Sequence, residues 1–162
     1  MYVSNRIVAT PLFTCSRQRP THDLDAVEEL GQVDYPRFVE FLRSINWRHE
    51  ANQAEWAMKA SPTLAVTNQG DGCTLWVSGV VAGSIIDVDA EPDEQIRVDK
   101  YEPWYCVGMK NPPEFANVTA LDPHAIGDDL GFTGFATERI EECFEWFFEE
   151  DYQSLYELFR WV

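Results

Sequence analysis

The sequence predicts an α+β fold, an antiparallel β-meander packed against amino-terminal and carboxy-terminal helices. Three observations predict it. Phe38, Phe41, Leu42 and Ile45 recur at helical spacing. Two short apolar, β-rich segments flank the turn cluster Asn68-Gln69-Gly70-Asp71-Gly72. Ile140, Cys143, Phe144 and Phe147 then share one arc at 100° per residue near the carboxy-terminal end. Helix, sheet and helix in that order, without βαβ alternation, is the α+β pattern.

Taken in chain order, residues 2–15 alternate loosely and predict a strand edged at Pro11, which cannot donate to a ladder. Residues 16–33 are polar and predict a loop. Asp34 predicts a helix N-cap, with Pro36 accommodated in the first turn. That helix ends near Asn46 and Trp47. A second one, with Ala51, Ala54 and Met58 on one face, runs to about Ala60 before Pro62 stops it. Thr63–Thr67 and Cys73–Val81 predict a hairpin. Ser84–Val88, Ile96–Asp99 and Trp104–Met109 predict further strands. Residues 110–136, broken by Pro112, Pro113 and Pro123, predict an irregular connection. Thr137 predicts the cap of an acidic helix, and Tyr152, Leu155, Leu158 and Phe159 a last helical stretch.

A chain of 162 residues is expected to form a single domain, 1–162. Its 28 acids against 12 bases give a net charge of -16. Direct nucleic-acid binding and an anionic membrane surface are therefore not expected, since both need clustered cations. The 22 aromatic residues supply too much core for a disordered acidic tail. Charge is unevenly spread: residues 1–22 sum to +3 and residues 23–162 to -19. Without a signal-like apolar segment at the start or a membrane-length apolar run, a cytoplasmic chain is expected.

Motifs for chemistry are sparse. Cys15, Cys73, Cys106 and Cys143 lie 58, 33 and 37 residues apart, without metal or redox spacing, and are expected to be buried thiols. Asp87, Asp89 and Glu91 alternate like the start of a calcium loop. The sixth and twelfth positions are Pro92 and Val98 where Gly and Glu belong. His22, His49 and His124 lack zinc-ligand spacing. No nucleophile elbow or phosphate loop occurs. Gly79 predicts a bulge inside its strand. No catalytic residue, metal or cofactor is expected. Should an unfamiliar enzyme be present, Asp122, His124 and Asp128 are the groups to watch.

Two acidic surfaces stand out. Glu138, Glu141, Glu142, Glu145 and Glu149 occupy the polar arc of the last long helix. Their like-charge pairs four residues apart each cost roughly 0.2–0.5 kcal/mol in an isolated helix. Glu149, Glu150 and Asp151 also fall toward its C-terminus, where the macrodipole disfavours anions, and Arg139 is the local counter-charge. Asp87, Asp89, Glu91, Asp93 and Glu94 form the second surface. Trp104 and Tyr105 place rings beside Glu102, a pattern suited to an Arg-rich partner.

The layout resembles immunity proteins of bacterial toxin–immunity pairs. The features that carry the resemblance are the Phe38–Ile45 helix, the Ser61-Pro62-Thr63-Leu64-Ala65-Val66 entry to the sheet, the Leu75-Trp76-Val77 return strand and the acidic, Phe-rich helix at the end. The resemblance implies a stoichiometric, non-catalytic inhibitor that binds a basic toxin domain through an acidic surface. A DNA mimic that fills a nucleic-acid channel is the alternative from another class. It requires carboxylates spaced like phosphates along an extended surface.

Overall fold

A computed structural model describes residues 12–20, 26–57, 60–81, 101–110, 129–133 and 137–160. The strands β1 (Phe13–Gln18), β2 (Glu28–Gln32), β3 (Thr63–Asn68), β4 (Thr74–Val80), β5 (Trp104–Lys110) and β6 (Asp129–Thr133) form one antiparallel sheet in the order β2-β1-β3-β4-β5-β6. The helices α1 (Tyr35–Ser44), α2 (Trp47–Ala57), α3 (Thr137–Phe148) and α4 (Tyr152–Arg160) complete the described chain. This is the expected α+β arrangement of an antiparallel meander with helices from both ends of the chain.

Period-two alternation sorts the strand residues. Phe13, Cys15, Leu64, Val66, Leu75, Val77, Val107 and Met109 point to one side and are buried. Against them pack Phe38 and Leu42 of α1, Trp47 of α2, Ile140, Cys143, Phe144 and Phe147 of α3, and Tyr152, Leu155 and Tyr156 of α4. Register holds this layer together, with Cys15 opposite Val66, Val66 opposite Leu75, and Leu75 opposite Met109. All four cysteines are free thiols. Cys15, Cys73 and Cys143 are buried as expected, while Cys106 is half-buried on the other side of the sheet.

Local chemistry sets the helix boundaries. Asp34 accepts a hydrogen bond from the Arg37 amide at 2.9 Å, so the expected N-cap is in place. The chain turns extended at Ile45, which is buried just past the last turn of α1. Asn46 and Trp47 open the next helix rather than closing the first: the Asn46 side chain accepts from the His49 amide at 3.2 Å. Trp47 fixes the corner by donating its indole N–H to the Leu42 carbonyl at 3.0 Å.

Four expectations need correction. β1 continues to Gln18 and β2 lies at 28–32, so part of the stretch expected to be a loop is sheet. β6 lies inside the 110–136 connection that was expected to be irregular. Gly79 is not at a bulge, because β4 keeps regular register with β5 through Gly79 opposite Tyr105. It is glycine for space: a Cβ there would stand 3.0 Å from Cε3 of Trp47. The irregular register lies instead between β1 and β2, where Leu30 is an extra residue on β2 between the Cys15–Gly31 and Ser16–Glu29 pairs, next to Gly31 at φ +85. Thr137 is the first residue of α3 rather than its cap. The expected strands at Ser84–Val88 and Ile96–Asp99 lie outside the described residues.

Candidate protein-docking face

α3 is amphipathic. Its apolar side is fully buried, while Glu145 is exposed and Glu149 follows, also exposed, one turn later. α1 lies antiparallel beside it. The Phe38 and Phe144 rings stack at 4.1 Å, and Tyr35 meets Phe148 edge-on at 5.9 Å. This packing brings α1 side chains up against the acidic arc.

Arg43 of α1 grips Glu141 with two hydrogen bonds, Nε to Oε1 at 2.8 Å and Nη2 to Oε2 at 3.1 Å. The carboxylate raises the arginine pKa further. Arg139 pairs with Glu142 one turn along. Arg139 is therefore not the sole counter-charge of this helix. Two of the acidic side chains are neutralised within the molecule, one of them from 98 residues away. Tyr35 donates its hydroxyl to the Glu141 carbonyl at 3.2 Å. Its phenol is pushed above the ordinary range by burial and then by the Glu145, Glu141 and Glu149 carboxylates, with Arg43 opposing. Tyr35 therefore lies within the electrostatic field of the acidic arc. The side chain of Glu138 lies outside the described residues.

The end of α3 also differs from expectation. Glu150 adopts φ 57 and its carboxylate accepts from buried Asn68 Nδ2 at 3.2 Å. Asp151 is the cap of α4, accepting from the Ser154 amide at 3.2 Å and the Ser154 hydroxyl at 2.6 Å. Its charge lies at a helix N-terminus, where the dipole favours it. Glu149 and Glu150 are both exposed at the end of α3, Glu150 with its hydrogen bond to Asn68.

Trp104 is 64% exposed, the largest outlying aromatic among the described residues. Tyr105 packs its ring on Trp47 at 5.8 Å, on the helix side of the sheet. Burial and then Glu102 push its phenol up. Alternation along β5 therefore turns Trp104 to the opposite side, and the structure does not bring it to the α3 glutamates. Asp87, Asp89, Glu91, Asp93 and Glu94 lie outside the described residues, as do Asp122, His124 and Asp128.

Among the described residues no three His, Cys, Asp or Glu side chains form a metal-holding group. No described helix is long and apolar enough to cross a membrane. Burial pushes Cys15, Cys73 and Cys143 up to about 12, leaving them protonated and unreactive. An open recess of about 350 Å³ at the start of α1 is lined by Leu12, Phe13, Gln32, Val33, Asp34 and Arg37, and its one carboxylate already caps the helix. No family model, curated protein or solved structure matches this chain.

The sequence identified the glutamate arc but missed Tyr35 and Arg43. Both sit on α1 and reach α3 only through tertiary packing, so no local spacing announces them.

Proposed function

We propose that this chain is a stoichiometric, non-catalytic protein-binding module of the immunity type, which neutralises a basic toxin domain by docking it on the acidic face of α3. One observation carries the proposal. Arg17, Arg19, Arg37, Arg43, Arg48 and Arg139 are each paired with a glutamate of this chain. Glu145 and Glu149 are exposed and have no ion-pair partner among the described residues. The chain carries 16 more acids than bases, a surplus that cations of another molecule can meet. A basic protein surface supplies them and relieves the like-charge cost along the helix.

A protein partner fits better than a nucleic-acid channel. Glu141 to Glu149 spans about 12 Å of helix axis. The same length of duplex DNA carries about seven phosphates. The face offers four carboxylates over that length, and Glu141 and Glu142 are already paired.

The test uses immobilised protein to capture partners from the source cell at about 20 mM salt, followed by association kinetics with the captured protein. The expected partner is basic and toxic when expressed alone, and co-expression of this chain restores growth. Glu145→Lys with Glu149→Lys should slow association at least tenfold at low salt, as steering is lost. Unchanged association in that variant places the interface elsewhere, and a partner without toxicity overturns the immunity role.

A further inference from the structure

We infer, on the docking role proposed for α3, that Glu150 at the corner between α3 and α4 is a further binding residue of that face and takes a cation of the basic partner. Its backbone argues against a structural reason for glutamate here. The Glu150 amide donates to the Phe147 carbonyl at 3.0 Å, and the Asp151 amide to the Trp146 carbonyl at 2.8 Å. This pair of bonds closes a helix by putting one residue in left-handed backbone, ordinarily glycine, because a Cβ there crowds the following carbonyl. In this chain that residue is Glu150 at φ 57, the one non-glycine with positive φ among the described residues. It also stands between Glu149 and Asp151, so like charges repel it from both sides.

The fold gains little in return. Among the described residues the Glu150 carboxylate makes one hydrogen bond, accepted by Oε2 from Asn68 Nδ2 at 3.2 Å. Asn68 does not depend on it. Its Nδ2 carries two hydrogens and has the Tyr152 hydroxyl at 3.2 Å and Asp71 Oδ2 at 3.4 Å as further acceptors. Its Oδ1 accepts from the Gly70 amide at 2.9 Å. A glutamate that strains the backbone, adds repulsion and satisfies no otherwise unsatisfied donor is a residue held for what it meets outside the molecule.

Charge names what it meets. Glu150 is exposed, follows Glu149 directly at the end of α3, and has no ion-pair partner among the described residues. Its Oε1 makes no hydrogen bond among those residues and can accept one from a guanidinium or an ammonium. Asn68 is 1% exposed and is fixed by the Gly70 amide, so it holds the other oxygen in place. The carboxylate is thereby oriented before the partner arrives, which lowers the ordering cost of the contact. Asn68 acts as the positioning residue and Glu150 as the one that touches the cation.

The test pairs melting temperatures with fluorescence anisotropy of labelled octa-arginine at about 20 mM NaCl, where screening is weak. Glu150→Gly relieves the backbone and should raise the melting temperature by about 2–4 °C while weakening peptide binding. Glu150→Gln keeps the left-handed backbone and an oxygen for Asn68, so it removes charge alone. It should leave the melting temperature within about 1 °C and weaken binding about threefold. Glu29→Gln, the same charge change at an exposed position on β2, should weaken binding by less than about 1.5-fold. Glu145→Lys with Glu149→Lys tests the docking face itself, and peptide binding unchanged in that variant overturns both readings. If that variant weakens binding while Glu150→Gln and Glu29→Gln behave alike, the face stands and the role of Glu150 is overturned. A lower melting temperature in Glu150→Gly also overturns it, because the glutamate then serves the fold.

Discussion

Arg17 stands on the core side of β1, in register with Leu64, and is held by Glu50 of α2. Both side chains are nearly buried, at 12% and 14% exposure, and the Arg17 Nε is buried without a hydrogen-bond partner. An incompletely satisfied buried pair contributes little net stability, yet removing one member strands the other charge. Glu50→Gln should cost about 3 kcal/mol in urea unfolding, and Arg17→Met with Glu50→Leu should recover most of it. The buried thiols make a different kind of prediction. Cys15, Cys73 and Cys143 are raised from 9.0 to about 12, so their neutral form is the one that folds. That contribution is complete below pH 9 and is lost as pH rises toward 12, at about 1.4 kcal/mol per thiol per unit. Unfolding midpoints should therefore fall steeply above pH 9. In the native state a thiol reagent should modify Cys106 first, since it alone of the four is incompletely buried.

At the scale of elements, contacts between neighbours in space decide what sequence spacing leaves open. Gly79→Ala places a methyl 3.0 Å from the Trp47 ring, and that ring is pinned by the Leu42 carbonyl and by Tyr105. The expected cost is about 1–3 kcal/mol, and Trp47→Phe in the same chain should relieve part of it. The elements that sequence revealed are those with local causes. α1 has its Asp34 cap and apolar stripe, the β3–β4 hairpin its turn cluster, and α3 a continuous buried arc. β2 was hidden because Glu28-Glu29-Leu30-Gly31-Gln32 lacks β-branched residues and becomes a strand only by pairing with β1. β6 sat inside a stretch rich in proline and glycine and is defined by its register with β5. The candidate face divides the same way. Its glutamates show helical period, whereas the Arg43 clamp joins residues 98 apart and leaves no mark in either segment.

For the whole molecule, the balance of charge works against folding. The described ion pairs are largely exposed and each contributes little, whereas an excess of 16 acids repels itself throughout. Screening the repulsion should outweigh weakening the pairs. The melting temperature of dilute protein should rise by several degrees between 20 and 500 mM NaCl, and a fall would show that the ion pairs dominate.

The cluster that joins the two ends of the core has a consequence for synthesis. Asn68 sits 1% exposed at the foot of the β3–β4 turn, and its amide reaches Glu150 and Tyr152 at 3.2 Å. Tyr152 in turn donates to Asp71, 81 residues away. Phe13 and Phe38 likewise find Phe147 and Phe144 only once those residues exist. A chain still being made thus carries a sheet whose apolar side is half roofed, by α1 and α2 alone. Closure waits for α3 and α4 to leave the ribosome. Until then that side of the sheet stays open, and the acidic face, carried on α3, is assembled in the same step.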